Sequence, residues 1–147
     1  MPVHDLFLEL HALYAEVDAV LAPYSCDGTT ECCRFGITGR EPYPTAVEVA
    51  DVKRAIRKAG ITLREPRRTL PIADERCPLL NDAGRCRIYA SRPFGCRTFF
   101  CERVQGPGKL PRTDVQRISR AIADLSARYA PRDPHPRPLT RALAERT

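Results

Sequence analysis

The stretch "CPLLNDAGRCRIYASRPFGCRTFFC", residues 77–101, carries Cys77, Cys86, Cys96 and Cys101, and Cys26, Cys32 and Cys33 lie upstream. Seven cysteines cannot all pair internally, because seven is odd. The opening residues do not read as a secretory leader. Met1 to Asp5 has no basic run, and the apolar stretch from Leu6 to Leu21 is broken by Glu9, His11, Glu16 and Asp18. No run of residues is apolar enough for a membrane span, so no membrane association is expected. The expected compartment is the cytoplasm. Reducing conditions there disfavour structural disulfides, and clustered cysteines point to metal or redox chemistry.

Local patterns around these cysteines predict a mostly helical fold. Leu6, Leu10, Leu13, Val17 and Leu21 recur at helical spacing, with Phe7, Tyr14 and Val20 widening the stripe, which predicts a helix over 3–22. Pro23 ends it. Residues 24–44 read as loop, with turn signals at Asp27-Gly28 and Pro42-Tyr43-Pro44. A second helix is predicted over 45–59. Thr45 and Glu48 form a capping box, Val49, Val52 and Ile56 make the inner face, and Gly60 suits the left-handed stop. Residues 61–76 are basic and irregular, with Ile61-Thr62-Leu63 as a candidate short strand. Asn81 to Gly84, between short apolar runs, predicts a small β-hairpin that brings Cys77 and Cys86 together.

Ser91-Arg92-Pro93 reads as the start of a short helix, with Ser91 as N-cap and Cys96 on the helix. A third long helix is predicted over 113–129, with Thr113 and Gln116 as a capping box and Val115, Ile118, Ile122, Leu125 and Tyr129 buried. Pro131, Pro134, Pro136 and Pro138 then forbid regular helix, so 131–147 is expected to be a proline-rich C-terminal extension, mobile or surface-running. The expected fold class is mostly α with a small β-hairpin: a compact, metal-stapled single domain of three main helices plus a short helix. At 147 residues, with 14 prolines and no tryptophan, the core is modest and gains from such a staple.

Thiolates are soft ligands suited to zinc, iron–sulfur centres or copper(I). Four of them close a tetrahedral zinc site, with Zn–S bonds of about 2.3 Å, or hold an iron–sulfur cluster. The spacing from Cys77 to Cys101 has neither the paired knuckles of a zinc finger nor the tight run of a ferredoxin. Buried inert thiols are the plain alternative, and a thiol–disulfide switch is another. Adjacent Cys32 and Cys33 point to opposite faces of extended backbone, so both reach one ion only if the loop kinks. The histidines His4, His11 and His135 are expected as solvated or core-edge residues.

The residues Cys77-Pro78, Leu80, Gly84, Cys86, Ile88-Tyr89, Arg92-Pro93, Cys96-Arg97 and Phe99 form a long composite motif. It resembles the YkgJ-like cysteine-cluster family, also called the CxxCxxCC zinc- or iron-chelating domain. The resemblance spans Cys26 to Phe99. It implies metal chelation and no settled reaction. The family's opening motif is C-x-x-C-x-x-C-C, and here Thr29 stands where its second cysteine belongs. Cys101, beyond the motif, is the natural substitute. The candidate metal ligands are therefore Cys26, Cys32, Cys33, Cys77, Cys86, Cys96 and Cys101. Zinc or iron is the expected cofactor, an iron–sulfur cluster included. Arg92 and Arg97 are candidates to balance thiolate charge, against the alternative of solvated arginines.

Two other functions compete with a metal-stapled domain of residues 1–130. The family is sometimes described as containing iron–sulfur oxidoreductases, so an oxidoreductase or electron carrier is the main alternative. The net charge of +6 comes almost wholly from arginine and raises nucleic acid as a partner. The arginines are dispersed, aromatics are few, and thiolates take up part of the excess, so nucleic acid is disfavoured. No catalytic set emerges: Ser25 and Ser91 have no histidine nearby in sequence, and whether the chain is an enzyme stays open.

Overall fold

The computed structural model describes residues 3–23, 42–63, 77–81, 86–98 and 111–144. Among them the chain is mostly helical, with five helices and no sheet. These are α1 (Val3–Leu21), α2 (Ala46–Ala59), the short α3 (Phe94–Arg97), α4 (Arg112–Tyr129) and α5 (Leu139–Ala144). A single 3-10 turn, Tyr89–Ser91, precedes α3.

The three long helices form where apolar spacing is helical. Leu6, Phe7, Leu10, Tyr14, Val17 and Leu21 of α1 are buried with Ile118, Ile122 and Leu125 of α4 and Val47 of α2. Each fully buried leucine or isoleucine contributes about 2 kcal/mol of apolar transfer. Glu16 meets Arg117 at 2.6 Å, and Glu9 meets Arg128 further along. The numbers run in opposite directions, so α1 and α4 pack antiparallel. The Phe7 and Tyr129 rings, 5.9 Å apart, fit the same alignment. Both ion pairs are exposed and screened by water, so they align the helices more than they stabilise them.

Helix α2 starts and stops as its residues dictate. Glu48 reaches back to its cap, accepting from the Thr45 backbone N–H at 3.2 Å and from Thr45 Oγ1 at 3.0 Å. Gly60 closes the helix at φ 68°, ψ 30°, a left-handed conformation a side chain would strain. The buried face differs from the sequence expectation. It is Val47, Glu48, Asp51 and Val52, while Val49 is half-buried. Two carboxylates thus lie on the inner face, and each is held there by partners on other elements.

Several local expectations are corrected. Helix α4 begins at Arg112 after Pro111, so Thr113 lies inside the first turn and is not the N-cap. Residues 61–63 form no strand; the Ile61 N–H instead bonds the Ile56 carbonyl at 3.1 Å behind Gly60. In place of the β-hairpin, the described residues show one isolated antiparallel bridge between Leu80 and Cys86. A bridge alone gives no ladder, and this segment is held by packing and by Arg87. Ser91 ends the 3-10 turn and does not cap α3, whose N-cap is Pro93.

The segment after Ala130 keeps to the surface through Pro136 and then turns inward, where Leu139 and Ala142 are buried. Its backbone runs antiparallel to residues 42–46. Ala46 N–H bonds the Pro134 carbonyl at 3.5 Å, Arg137 N–H bonds Pro44 at 3.2 Å and Leu139 N–H bonds Pro42 at 3.0 Å. Ser126 Oγ links the same region, accepting from Val47 N–H and donating to the Pro134 carbonyl. Helix α5 packs on α2.

Candidate metal centre

Cys77, Cys86 and Cys96 lie among the described residues, and Cys26, Cys32, Cys33 and Cys101 lie outside them. Cys77 is buried, and Cys86 and Cys96 are half-buried. Cys77 sits in one apolar cluster with Val52, Leu79, Ile88 and Leu139, and Cys86 packs against it. The segments that carry them meet antiparallel. Leu80 N–H bonds the Cys77 carbonyl at 3.1 Å, Leu80 bridges to Cys86, and Arg87 N–H bonds the Leu79 carbonyl at 2.9 Å. Cys96 is placed by α3, where its N–H bonds the Pro93 carbonyl at 3.0 Å.

Arg87 is the residue whose importance the spacing did not signal. Its Nε donates to the Leu79 carbonyl at 3.3 Å and its Nη2 to the Pro78 carbonyl at 2.8 Å. A side chain next to Cys86 therefore grips the backbone just after Cys77, fixing the two cysteine-bearing segments together. Pro78 has no N–H, and its carbonyl is one of the two acceptors. Ile88 fills the core, at 5 % exposure. The Tyr89 ring is exposed and stacked under Arg92, whose guanidinium carbon is 3.8 Å from the ring centroid. Arg92 Nε donates to the Tyr89 carbonyl at 3.0 Å.

Arg97 is neither solvated nor turned toward a thiolate in its described bonds. Its side chain is 4 % exposed. Its fork donates to the Arg92 carbonyl at 2.8 Å, the Ala90 carbonyl at 2.7 Å and the Asp18 carboxylate at 2.6 Å. The guanidinium also lies 4.1 Å from the centre of the Tyr14 ring. Arginine suits this place because its planar fork serves several acceptors at once and stacks on an aromatic face. The result is that the turn before Cys96 is pinned to α1.

Glu48 completes the frame of α3. Its Oε2 accepts from the Phe94 N–H at 2.6 Å and from the Tyr14 hydroxyl at 2.9 Å. Burial first, then the neighbouring Glu48 charge, pushes the Tyr14 phenol pKa well above its ordinary value; Arg97 opposes the shift. The second buried carboxylate, Asp51, takes His11 Nε2 at 2.9 Å and 3.0 Å on its two oxygens and Arg54 at 3.5 Å. His11 is thus a core-edge partner of Asp51. His4 and His135 are exposed.

Among the described residues no group of three or more His, Cys, Asp or Glu side chains is placed to hold a metal ion. The described donors nonetheless fit a soft cation in kind. Cys77 lies in one apolar cluster and Cys86 packs against it, and thiolate sulfur is a soft donor. Among the described residues no helix is long and apolar enough to cross a membrane.

The fold and these residues define a mostly helical domain with cysteines on its loops and on one short helix. Residues 25–121 match the family described as "CxxCxxCC: Putative zinc- or iron-chelating domain". That match covers more than half of the chain, and the chain belongs to this family. No curated protein and no solved structure matches it.

Proposed function

We propose that the chain is a metal-chelating protein whose thiolates hold zinc or iron between the 26–33 segment and the 77–101 segment. The observation that carries this reading is the placement of Cys77 inside, and of Cys86 against, one buried cluster, the two segments being tied by Arg87. Cys96, on a helix pinned by Glu48 and Arg97, is a third ligand. Cys26, Cys32, Cys33 and Cys101 complete the proposed set, with Cys101 supplying the thiolate that Thr29 does not. In this reading residues 1–130 form the metal-binding domain, 131–147 an extension, and the cytoplasm the compartment.

A bound cation would neutralise thiolates and join segments far apart in sequence, so its binding energy becomes folding energy. Metal analysis joined to absorption spectroscopy, on protein prepared without oxygen, tests the reading. Zinc or iron in whole-number stoichiometry is expected, falling sharply in the Cys77→Ser, Cys86→Ser double variant. Strong visible absorption together with acid-labile sulfide identifies an iron–sulfur cluster and turns the function toward electron transfer. Reconstituted protein that holds no metal overturns the proposal.

A further inference from the structure

Residues 134–142 lie beyond the matched region of 25–121, yet they are bound to both described cysteine-bearing segments. The first connection is apolar. Leu139, 1 % exposed, belongs to the buried cluster that contains Cys77, Leu79 and Ile88. The second runs through the backbone. Arg137 and Leu139 donate to the Pro44 and Pro42 carbonyls. Pro42 in turn lies against Gly95, where an added Cβ would stand 3.0 Å from the Pro42 Cβ. Gly95 immediately precedes Cys96.

The sequence of this segment is built for such a role. Pro134, Pro136 and Pro138 alternate with His135, Arg137 and Leu139. Each proline fixes φ near the extended value and removes an N–H. The remaining backbone donors, at 135, 137 and 139, fall at alternate positions, and those of 137 and 139 bond to residues 42–44. Fewer conformations are lost on docking than for an ordinary chain, because proline has already restricted the undocked state.

We propose that residues 134–142 are a strap that locks the cysteine-bearing segments and sets how fast the metal leaves. This rests on the metal reading above and deepens it, assigning control of release to a segment that supplies no ligand. Undocking the strap removes Leu139 from beside Cys77 and frees Pro42 from its hold on Gly95. The ligand segments then open locally while the α1–α4 core stays closed.

The test is the rate at which zinc passes from the loaded protein to an excess of a chromogenic chelator. Arg137→Pro deletes the backbone bond to Pro44, together with the exposed side-chain bond to Asp133 that Arg137→Ala removes as well, and leaves the core intact; it is expected to release zinc about five-fold faster, the scale of one lost backbone bond. Arg137→Ala keeps the N–H and is expected to stay within about two-fold of the parent, well under the effect of that bond. Leu139→Ala opens a cavity in the cluster and is expected to accelerate release at least about ten-fold. Parental release rates in both Arg137→Pro and Leu139→Ala would overturn the strap. If Leu139→Ala loses its helical circular dichroism, the Arg137→Pro and Arg137→Ala pair decides alone. If the parent protein binds no metal, the metal reading fails and the strap is judged separately, by iodoacetamide labelling of Cys77 and Cys86. Faster labelling in Arg137→Pro than in Arg137→Ala supports it, and equal labelling overturns it.

Discussion

The Phe94 backbone N–H donates to Glu48 Oε2 at 2.6 Å, across 46 residues of sequence. The same carboxylate caps α2 through Thr45 and receives the Tyr14 hydroxyl, so one buried side chain joins α1, α2 and α3. A carboxylate with this many donors is stable in the interior because its charge is met by hydrogen bonds.

Replacing it leaves those donors unmatched. Glu48→Ala is expected to cost about 3 kcal/mol, and Glu48→Gln about 2 kcal/mol, since an amide turns its NH2 toward groups that themselves donate. Urea denaturation of the two variants beside the parent measures this. A loss under about 0.5 kcal/mol in both, the range of an ordinary surface substitution, would show that the network contributes little.

Tyr14 makes stability fall at high pH. The folded state raises the phenol pKa through burial and the Glu48 charge. Below about pH 10 the phenol is neutral whether the chain is folded or not, and Tyr14 adds no pH dependence. Above it the unfolded chain ionises while the folded one keeps its proton, so stability drops with rising pH. The slope is at most about 1.4 kcal/mol per pH unit. Denaturation from about pH 9 to about pH 11, roughly one unit either side of the free phenol, should show a flatter decline in Tyr14→Phe than in the parent. The two proteins differ at this phenol alone, so the difference isolates Tyr14. Parallel curves would exclude it.

Arg97→Lys tests the clamp on α3. A lysine has a single compact ammonium in place of the fork whose three nitrogens meet the three acceptors, and it cannot stack as a plane on Tyr14. The expected loss is about 2 kcal/mol, most of it from the unmet Ala90 and Arg92 carbonyls, since Asp18 is half exposed and contributes little. A second readout separates a local effect from a global one. Alkylation of Cys96 in metal-free protein should quicken more than that of Cys77, because the clamp bears on the turn next to Cys96. Uniform quickening would mean a general loosening.

Cys101 is expected to carry the ligand that Thr29 cannot. Cys101→Ser should lower metal content, and Thr29→Cys in that background should restore it. A Cys101→Ser protein with full metal content would remove Cys101 from the ligand set.

What the sequence made legible follows the range of the interactions. The three long helices came from apolar spacing, and the Thr45–Glu48 box and Gly60 from local chemistry, all within a few residues of one another. The second half of Glu48's role depends on Tyr14 and Phe94, which no local spacing connects to it. Asp51 with His11 and Arg97 with Asp18 are alike in this. The Thr113–Gln116 pattern matched the Thr45–Glu48 one in form, but Pro111 already starts α4, so the signal was false there. The proline-rich segment read as irregular, which is true of its backbone through Pro138 and not of Leu139–Ala144, which form α5; its docking depends on carbonyls about 90 residues earlier, a distance over which proline content says nothing. For the candidate site, the motif disclosed the cysteines, while the arginine that draws Cys77 and Cys86 together had no signal beyond its place beside Cys86.

The stacked and hydrogen-bonded surroundings of Tyr14 have an optical consequence. With no tryptophan and five tyrosines in the chain, ultraviolet emission comes from phenol rings alone. A phenol bonded to a carboxylate loses excitation by passing its proton, so Tyr14 is dim while Glu48 holds it. Opening of the α1–α2–α3 junction therefore brightens the protein without any added label, and gives a native light signal for that joint.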